Sequence, residues 1–166
     1  MDNDIIIRYA EVRDADDIIS FNQAMALETE NLVLNEALLT SGVRAMLKNK
    51  HLGFYLVAQI DEEIIGSLMV TSEWSDWRNG LFWWIQSVYV KPYYRKQGVY
   101  RKLYDYVKKS AFNEPNVCGF RLYVEKNNLP AQNTYKALGM NETHYRLWEE
   151  INMPEFPLWK RKDNLV

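Results

Sequence analysis

A strand that runs through a short basic loop into a helix is the feature that most constrains how this chain can fold. Leu81–Val90 combines aromatic and β-branched side chains, a composition typical of a strand that is buried on both faces. Lys91 and Pro92 end the strand, and Gly98 opens a helix whose apolar residues recur with a period of about 3.6. Because this helix has to pack on the sheet that contains the strand, the unit predicts layers of sheet and helix.

The segments on either side of this unit predict a mixed α/β (α+β) fold. Asp14 is a candidate cap for the first helix, and Gly139 is a candidate left-handed cap for the last. The predicted strands span 5–9, 54–60, 64–70, 81–90, 120–124 and 143–148, and the predicted helices follow Asp14 and span 35–50, 98–115 and 130–138. The element order is therefore β-αα-β-β-β-α-β-α-β, a sheet flanked by helices.

Length and composition predict one domain. The chain has 166 residues, of which 48% are hydrophobic, and it contains only 7 Gly and 5 Pro. Such a composition is typical of a folded domain with a substantial core. We expect a single domain at 1–150 and a tail at 151–166, in which Pro154 and Pro157 interrupt regular patterns.

The sequence also excludes several classes of protein. Uninterrupted apolar runs reach five residues, as in 81–85, whereas a membrane-spanning helix needs about 20. The N-terminal residues 1–4 lack the basic and apolar regions of a secretion signal. The single Cys118 excludes an internal disulfide framework, and isolated His51 and His144 indicate no metal site. We therefore expect a cytoplasmic protein without a metal or a membrane partner.

The net charge of −2 hides a basic segment, residues 91–109, in an acidic chain. This segment has seven basic residues and one acid, which leaves 13 basic and 21 acidic residues elsewhere. A small polyanion is the favoured partner, because duplex-binding proteins spread positive charge over a whole face. Nucleic-acid binding is a weaker alternative, and a helix with a solvated lysine face is the structural one.

The loop at Gly98 is suited to a phosphate group. Backbone N–H groups at the start of a helix have no partner within the helix, and the helix dipole adds positive charge there. Gly98 allows the backbone to approach a ligand closely. A strand, loop and helix with one glycine also occurs in many proteins as a purely structural connection.

Two motifs resemble the signatures of the GNAT superfamily of acyl-CoA N-acyltransferases, and the resemblance extends over about residues 5–148. The pyrophosphate signature R/Q-x-x-G-x-G/A is similar to Arg95–Tyr100, where Tyr100 replaces the last small residue. The second signature, N-x-x-A-x-x-x-Y, is matched by Asn128–Tyr135. The resemblance implies a mixed, mostly antiparallel central sheet flanked by helices.

The resemblance also implies that the chain binds acetyl-CoA as a co-substrate. The pyrophosphate is expected on the amides of about 97–101, the pantetheine arm on the backbone of Val88 and Val90, and Asn128 on the other side of that arm. The side chain of Tyr100 then has to point away from the phosphate. The cofactor-binding residues implied are Val88, Tyr89, Val90, Arg95, Lys96, Gln97, Gly98, Val99, Tyr100, Arg101, Asn128 and Ala131.

The reaction implied is transfer of an acetyl group to a primary amine by direct attack through a tetrahedral intermediate. An alkylammonium titrates near 10.4, so only about one in 2,500 molecules is the free base at pH 7. A proton must therefore leave the amine, and the departing thiolate needs a proton or a hydrogen bond. Tyr135 is implied as the general acid by its place in the second signature; alternatively, it anchors its helix to the core.

The general base is open. Many relatives carry a glutamate on the central strand, but this chain has Gln86 there and no carboxylate from 81 to 90. Gln86 can orient a water but cannot accept the proton. Glu73 and Asp76 precede the central strand, and Glu125 follows the next one. These three carboxylates and proton loss through ordered water are the alternatives.

The segment 73–77, with Glu28 and Glu30 after the first helix, is similar to the spermidine/spermine and diamine branch of the superfamily. Acids attract a cationic amine, and tryptophans add cation–π contacts worth about 0.5 to 2 kcal/mol each. The implied acceptor is a polyamine-like or diamine-like small amine or an amino acid, with Glu28, Glu30, Trp74 and Trp84 as substrate residues. Alternatives are a protein or peptide amine.

A non-catalytic acyl-CoA-binding regulatory domain is the rival from another class. It is motivated by Gln86 on the central strand and by Tyr100 in the pyrophosphate turn. Relatives often dimerise, so the tail residues Phe156 and Trp159 are expected to cover a partner subunit of a homodimer or the chain's own sheet.

Overall fold

A five-stranded sheet forms the centre of the protein in a computed structural model, which describes residues 4–152 and 159–161. The strands are β1 (Ile6–Tyr9), β2 (Leu32–Leu34), β3 (Phe54–Ile60), β4 (Glu63–Ser75), β5 (Gly80–Val90), β6 (Val117–Arg121) and β7 (Trp159–Arg161). The α-helices are α1 (Ala15–Glu30), α2 (Glu36–Lys48), α3 (Val99–Phe112) and α4 (Leu129–Ala137). Short 3-10 turns span Val12–Asp14 and Pro92–Tyr94.

The central sheet has the order β1-β3-β4-β5-β6, and all its pairs are antiparallel except β5 with β6. The predicted mixed, mostly antiparallel sheet flanked by helices is therefore confirmed. The apolar stripe of α3 packs on one face, where Leu103 and Val107 are fully buried with Trp83. Helices α1 and α2 cover the other face, where Phe21 stacks on Tyr89 with ring centroids 5.2 Å apart.

A β-bulge interrupts the pairing of β4 with β5. Ser67 is paired with Tyr89, but Met69 is paired with Gln86, so β5 has an extra residue in this stretch. Ser87 occupies the left-handed region with φ of 49°. The extra residue changes the alternation, because Trp83 packs toward α3 whereas Tyr89 packs toward α1.

Several predicted boundaries are wrong. No strand forms at 143–148, where Tyr145, Leu147 and Trp148 are 66%, 71% and 87% exposed; without burial, strand-forming side chains have no packing surface. Strand β4 extends to Ser75, so Glu73 lies in a strand rather than a loop. Helix α1 extends to Glu30, so Glu28 and Glu30 form its last turn instead of following it.

Part of the tail returns to the fold. The short strand β2, which the sequence pattern did not predict, pairs antiparallel with β7 in a separate two-stranded sheet. The division into a domain (1–150) and a tail (151–166) stays a prediction. Phe156 lies outside the described residues, and so does Pro154.

A buried ion pair holds the first strand to the first helix. Asp14 is 4% exposed and accepts hydrogen bonds from Arg8 at 2.7 and 2.9 Å and from the Glu11 amide at 2.7 Å. Asp14 was expected to cap α1, but its carboxylate accepts no hydrogen bond from the first turn of that helix. Burial opposes ionisation of this carboxyl, but the bonds from Arg8 and Glu11 outweigh that effect and lower its pKa. Arg8 also donates to Gln59 on β3 at 2.8 Å.

Replacing Asp14 with Asn should lower the free energy of unfolding by about 3 kcal/mol at pH 7, because Arg8 loses its counter-charge in a largely buried site. Since the pKa of Asp14 is lower in the folded state, its ionisation stabilises the fold above the unfolded pKa of about 3.9. That contribution is lost as the pH falls through the folded value. Urea unfolding at pH 7 and at pH 3 measures both effects.

The matched control is Asp16→Asn. Asp16 pairs with Arg44 at 3.1 Å, but its side chain is 87% exposed, so we expect a loss below about 0.5 kcal/mol. Equal losses in the two variants, or an Asp14 effect that persists undiminished at pH 3, would contradict the assignment.

Candidate active site

The start of α3 presents backbone amides without a side-chain cap. Gly98 is the N-cap residue, with φ of 80°, and no side chain there accepts from the first turn. The first bond within the helix runs from the Lys102 amide to the Gly98 carbonyl at 3.0 Å, so the amides before Lys102 point out of the helix end. In α2 and α4, by contrast, Asn35 and Asn128 cap the first turn. The N-terminus of α3 is therefore suited to bind an anion.

The basic segment divides into paired and unpaired side chains. Lys91 pairs with Glu63 at 2.8 Å, Arg95 with Glu28 at 2.7 Å and Lys108 with Asp105 at 2.8 Å. The other four basic side chains of this segment are exposed and form no ion pair with the described residues, namely Lys96, Arg101, Lys102 and Lys109. Three of these four lie in the loop before α3 or in its first turn, where they add positive charge beside the unbonded backbone amides.

The side chain of Arg95 is bonded to residues of β5 and α1. Besides its ion pair with Glu28, it donates through Nε to the Val90 carbonyl at 2.8 Å, and its guanidinium lies 5.3 Å from the Tyr89 ring centroid. The hydroxyl of Tyr89 donates to the same Glu28 at 3.0 Å. Arg95 and Glu28, which were expected in the cofactor site and the acceptor site, thus bond to each other.

The side chain of Tyr100 points away from the phosphate turn, as its bulk requires. Its ring packs between Tyr104, at a centroid distance of 6.2 Å, and Tyr135, at 5.5 Å. Burial strongly raises the pKa of its hydroxyl. That hydroxyl is buried and has no hydrogen-bond partner within the described part of the chain.

The pairing of β5 with β6 ends before the start of α3, and we call the unpaired side of β5 beyond that point the opening. Their pairing runs from Leu81 to Trp84 on β5 and reaches Arg121 on β6. Beyond it, the Lys91 amide bonds to Ile65 of β4, so Val90 directs its backbone groups to the opposite side, toward the opening. The remaining cofactor candidates lie around this opening: Val88, Gln97 and Val99 on the β5 and α3 side and Ala131 at the start of α4. The opening offers a backbone edge that leads to the α3 amides.

The second signature forms the start of α4. The side chain of Asn128 accepts from the Ala131 amide at 3.2 Å and caps the helix. Tyr135 lies one turn further on, is half-buried and packs edge-on against Tyr100. Burial raises the pKa of Tyr135, so its phenol stays protonated and can donate a hydrogen bond.

The structure does not bring the proposed bases to Gln86. Glu73 is bonded to Arg121 and to the Trp84 indole. Asp76 caps the β4–β5 turn by accepting from the Trp77 amide at 2.8 Å, about 20 Å along the strands from Gln86. Glu125 accepts from both nitrogens of Asn127 at 2.7 and 3.1 Å.

Gln86 is bonded on both sides of β5. Its amide donates to Thr71 of β4 at 2.6 Å, and its carbonyl accepts from the Tyr123 hydroxyl at 3.3 Å. Tyr123 also packs against Trp84 with centroids 6.0 Å apart. Loss of hydration, with the charges of Glu149 and Glu30, raises the pKa of Tyr123. Tyr123 was missed in the sequence analysis because this residue lies outside both signature motifs.

The acceptor candidates fall into two groups. Trp84 packs against Tyr123, and the charge of Glu30 contributes to the raised pKa of Tyr123. Trp74 is paired with Leu81 and is 57% exposed, and because it neighbours Glu73 in β4 it lies on the opposite face of the sheet from Glu73.

Comparison with known proteins identifies the family. The sequence profile of the Acetyltransferase (GNAT) family matches residues 20–140, so this chain belongs to the GNAT family of acetyltransferases. It is 44% identical to a possible acetyltransferase from Clostridium difficile 630, with a TM-score of 0.82 over 89% of this chain and 97% of that one.

Two other relatives are informative. A streptothricin acetyltransferase of Escherichia coli is 33% identical over 82 residues, which are 49% of this chain and 44% of that protein. The chain thus matches less than half the length of that curated relative. A predicted acetyltransferase from Clostridium acetobutylicum, solved with acetyl-CoA, has a TM-score of 0.72 at 22% identity over 93% of this chain and 99% of that one, which shows the same fold.

Two absences complete the description. In residues 4–152 and 159–161, no helix is long and apolar enough to cross a membrane. Over the same residues, no group of three His, Cys, Asp or Glu side chains is arranged to hold a metal ion.

Replacing Tyr100 with Phe should raise the free energy of unfolding by about 1 kcal/mol, because it removes a buried hydroxyl that has no partner. Denaturant unfolding measures the change. Tyr106→Phe removes a hydroxyl from a half-buried ring of the same helix and serves as the control, for which we expect no gain. A loss of stability in Tyr100→Phe would show that the hydroxyl is bonded.

Proposed function

We propose that this protein is an acetyl-CoA-dependent N-acetyltransferase whose acceptor is a primary amine of a small, cationic molecule. The observation that carries the proposal is the opening between β5 and β6, which ends at the uncapped amides of α3. The C. acetobutylicum neighbour, solved with acetyl-CoA, and the streptothricin acetyltransferase support it. The small-amine acceptor rests on the aromatic pair of Trp84 and Tyr123 and on the charges of Glu30 and Glu149 that act on Tyr123.

The residues present fit the phosphates and the arm of acetyl-CoA. The amides from Gly98 to Arg101 receive the diphosphate, and Lys96, Arg101 and Lys102 supply charge that no carboxylate of the described residues neutralises. Gly98 keeps its left-handed conformation there without a Cβ. The Val90 N–H lies on the side of β5 that faces away from β4 and offers a donor to the arm, while the Val90 carbonyl is bonded to Arg95. The capping role of Asn128 leaves its amide nitrogen for the other side.

Acetyl-CoA, when bound, supplies a thioester at the inner end of this opening. Tyr135 then acts as a hydrogen-bond donor to the sulfur, where negative charge develops. Its raised pKa keeps the phenol protonated. Tyr100 packs edge-on against the ring of Tyr135 and so restricts its orientation.

Proton loss from the acceptor proceeds through water. Glu73, Asp76 and Glu125 are each bonded elsewhere, and Gln86 cannot accept a proton. The ammonium loses its proton to solvent at the mouth beside Tyr123. The carboxylates of Glu30 and Glu149 near Tyr123 favour a cation at this mouth.

Coenzyme A release from acetyl-CoA, measured over a panel of amines, tests this function. The panel contains spermidine, diamines, amino acids, peptides and streptothricin. We expect turnover with a small cationic amine and a decrease in kcat of about 100-fold in Tyr135→Phe, because the general acid is lost.

The control for Tyr135→Phe is again Tyr106→Phe, whose ring contacts Tyr9 at 5.9 Å and should leave the rate unchanged. Turnover with peptides alone would contradict the small-amine acceptor. Binding of acetyl-CoA without turnover of any amine would favour the non-catalytic regulatory domain.

A further inference from the structure

Glu73 is part of a clamp that spans three strands. It lies on β4 opposite Phe82, and its Oε1 pairs with Arg121 of β6 at 2.7 Å. Its other oxygen accepts the indole N–H of Trp84 on β5. The guanidinium of Arg121 in turn lies 3.7 Å from the ring centroid of Phe82. Both carboxylate oxygens are thus engaged, and the arginine that holds them is itself fixed on a ring.

The clamp fixes an aromatic pair. The indole of Trp84 and the ring of Tyr123 lie 6.0 Å apart at 50°. The hydroxyl of Tyr123 donates to Gln86, which donates to Thr71. An unbroken series of contacts therefore connects Glu73 at one end to Gln86 at the other.

This aromatic pair stands where the two strands separate. Trp84 and Arg121 form the last pair between β5 and β6, and Tyr123 lies two residues beyond. Trp84 is on the opposite face of β5 from Trp83, which packs against α3. The pair therefore lies on the α1 side of the sheet, within the electrostatic influence of Glu30 and Glu149.

We propose that Glu73 is a positioning residue, not the proton acceptor: with Arg121 it fixes Trp84, and Trp84 and Tyr123 form the wall that holds the acceptor's ammonium group. The inference rests on the proposed acetyltransferase function. A fixed aromatic face attracts a cation, and carboxylates at its edge add to that attraction. If this carboxylate took a proton, it would lose the negative charge that pairs with Arg121.

The variants Glu73→Gln and Glu73→Leu test this role in steady-state kinetics with acetyl-CoA and spermidine. Gln keeps an acceptor for the indole N–H but loses the ion pair, whereas Leu loses both. We expect the KM for spermidine to rise about threefold in Glu73→Gln and about tenfold in Glu73→Leu. The kcat should stay within threefold, and the pH profile of kcat/KM should keep its shape, because no titrating base is removed.

Trp84→Phe provides an independent variant if Glu73→Leu fails to fold. It should raise the KM about tenfold, and the double variant Glu73→Leu/Trp84→Phe should add little, since Glu73 acts through Trp84. Glu62→Gln, in the exposed β3–β4 turn, is the charge-matched control and should match the wild type.

Calorimetry separates this inference from the proposed function. Spermidine is titrated into the protein saturated with coenzyme A, where no turnover occurs. Wild type should bind it, and Glu73→Leu and Trp84→Phe should bind at least fivefold more weakly. Spermidine binding without turnover of spermidine or of any other amine in the panel would contradict the proposed function but support the role of Trp84 and Tyr123 in holding the ammonium group.

Three results would overturn the inference. The first is a 100-fold loss of kcat in Glu73→Gln with loss of the acidic limb of the pH profile, which would identify Glu73 as the base. The second is an unchanged KM and affinity in both Glu73→Leu and Trp84→Phe. The third is the absence of spermidine binding by the wild-type protein.

Discussion

The end of the β5–β6 pairing at Trp84 and Arg121 is the constraint on which the rest of the site depends. Up to that pair, parallel bonding holds the two strands together. Beyond it, after the bulge at Ser87, the backbone of Val90 faces away from β4. Its carbonyl accepts from Arg95, and its N–H faces the opening. Beyond the last pair, the Tyr123 hydroxyl donates to the Gln86 side chain across the opening. The end of the β5–β6 pairing and the bulge of β5 against β4 together leave a backbone edge beside the aromatic pair of Trp84 and Tyr123.

Charge is distributed according to this geometry. The acids of α1 and β4 neutralise Arg95 and Lys91, which hold the strand end in place, while Lys96, Arg101 and Lys102 keep their charge at the start of α3. Arg121, on the far side of the opening, is neutralised by Glu73. Positive charge without an ion pair is thus concentrated at the start of α3, whereas Glu149 and Glu30 contribute to the raised pKa of Tyr123. A single groove so built favours an anion at one end and a cation at the other.

Much of the fold was accessible from the sequence, because helices and strands carry regular apolar patterns. The stripe of α3 and the long strand β5 were predicted and are confirmed. The strand at 143–148 was wrong, since its alternation finds no partner strand in the described part of the chain. Strand β2 was missed because three residues carry no readable period.

The site was only partly accessible, because motifs record neighbours in sequence and not contacts across strands. The signatures located Gly98, Asn128 and Tyr135, whose roles stay predictions. The bonds of Glu73 with Arg121 and Trp84 join residues up to 48 positions apart, and no spacing in the sequence indicates them. The same applies to the pair of Arg95 with Glu28, 67 positions apart.

Calorimetric titration of the purified protein with coenzyme A tests the central claim most directly, since it asks whether the α3 amides and the opening take up a diphosphate on a pantetheine arm. We predict saturable binding at a 1:1 ratio, weakened at least tenfold in Gly98→Val, because valine resists the φ of 80° that the turn requires. The absence of heat up to millimolar coenzyme A, or equal affinity in Gly98→Val, would contradict the account.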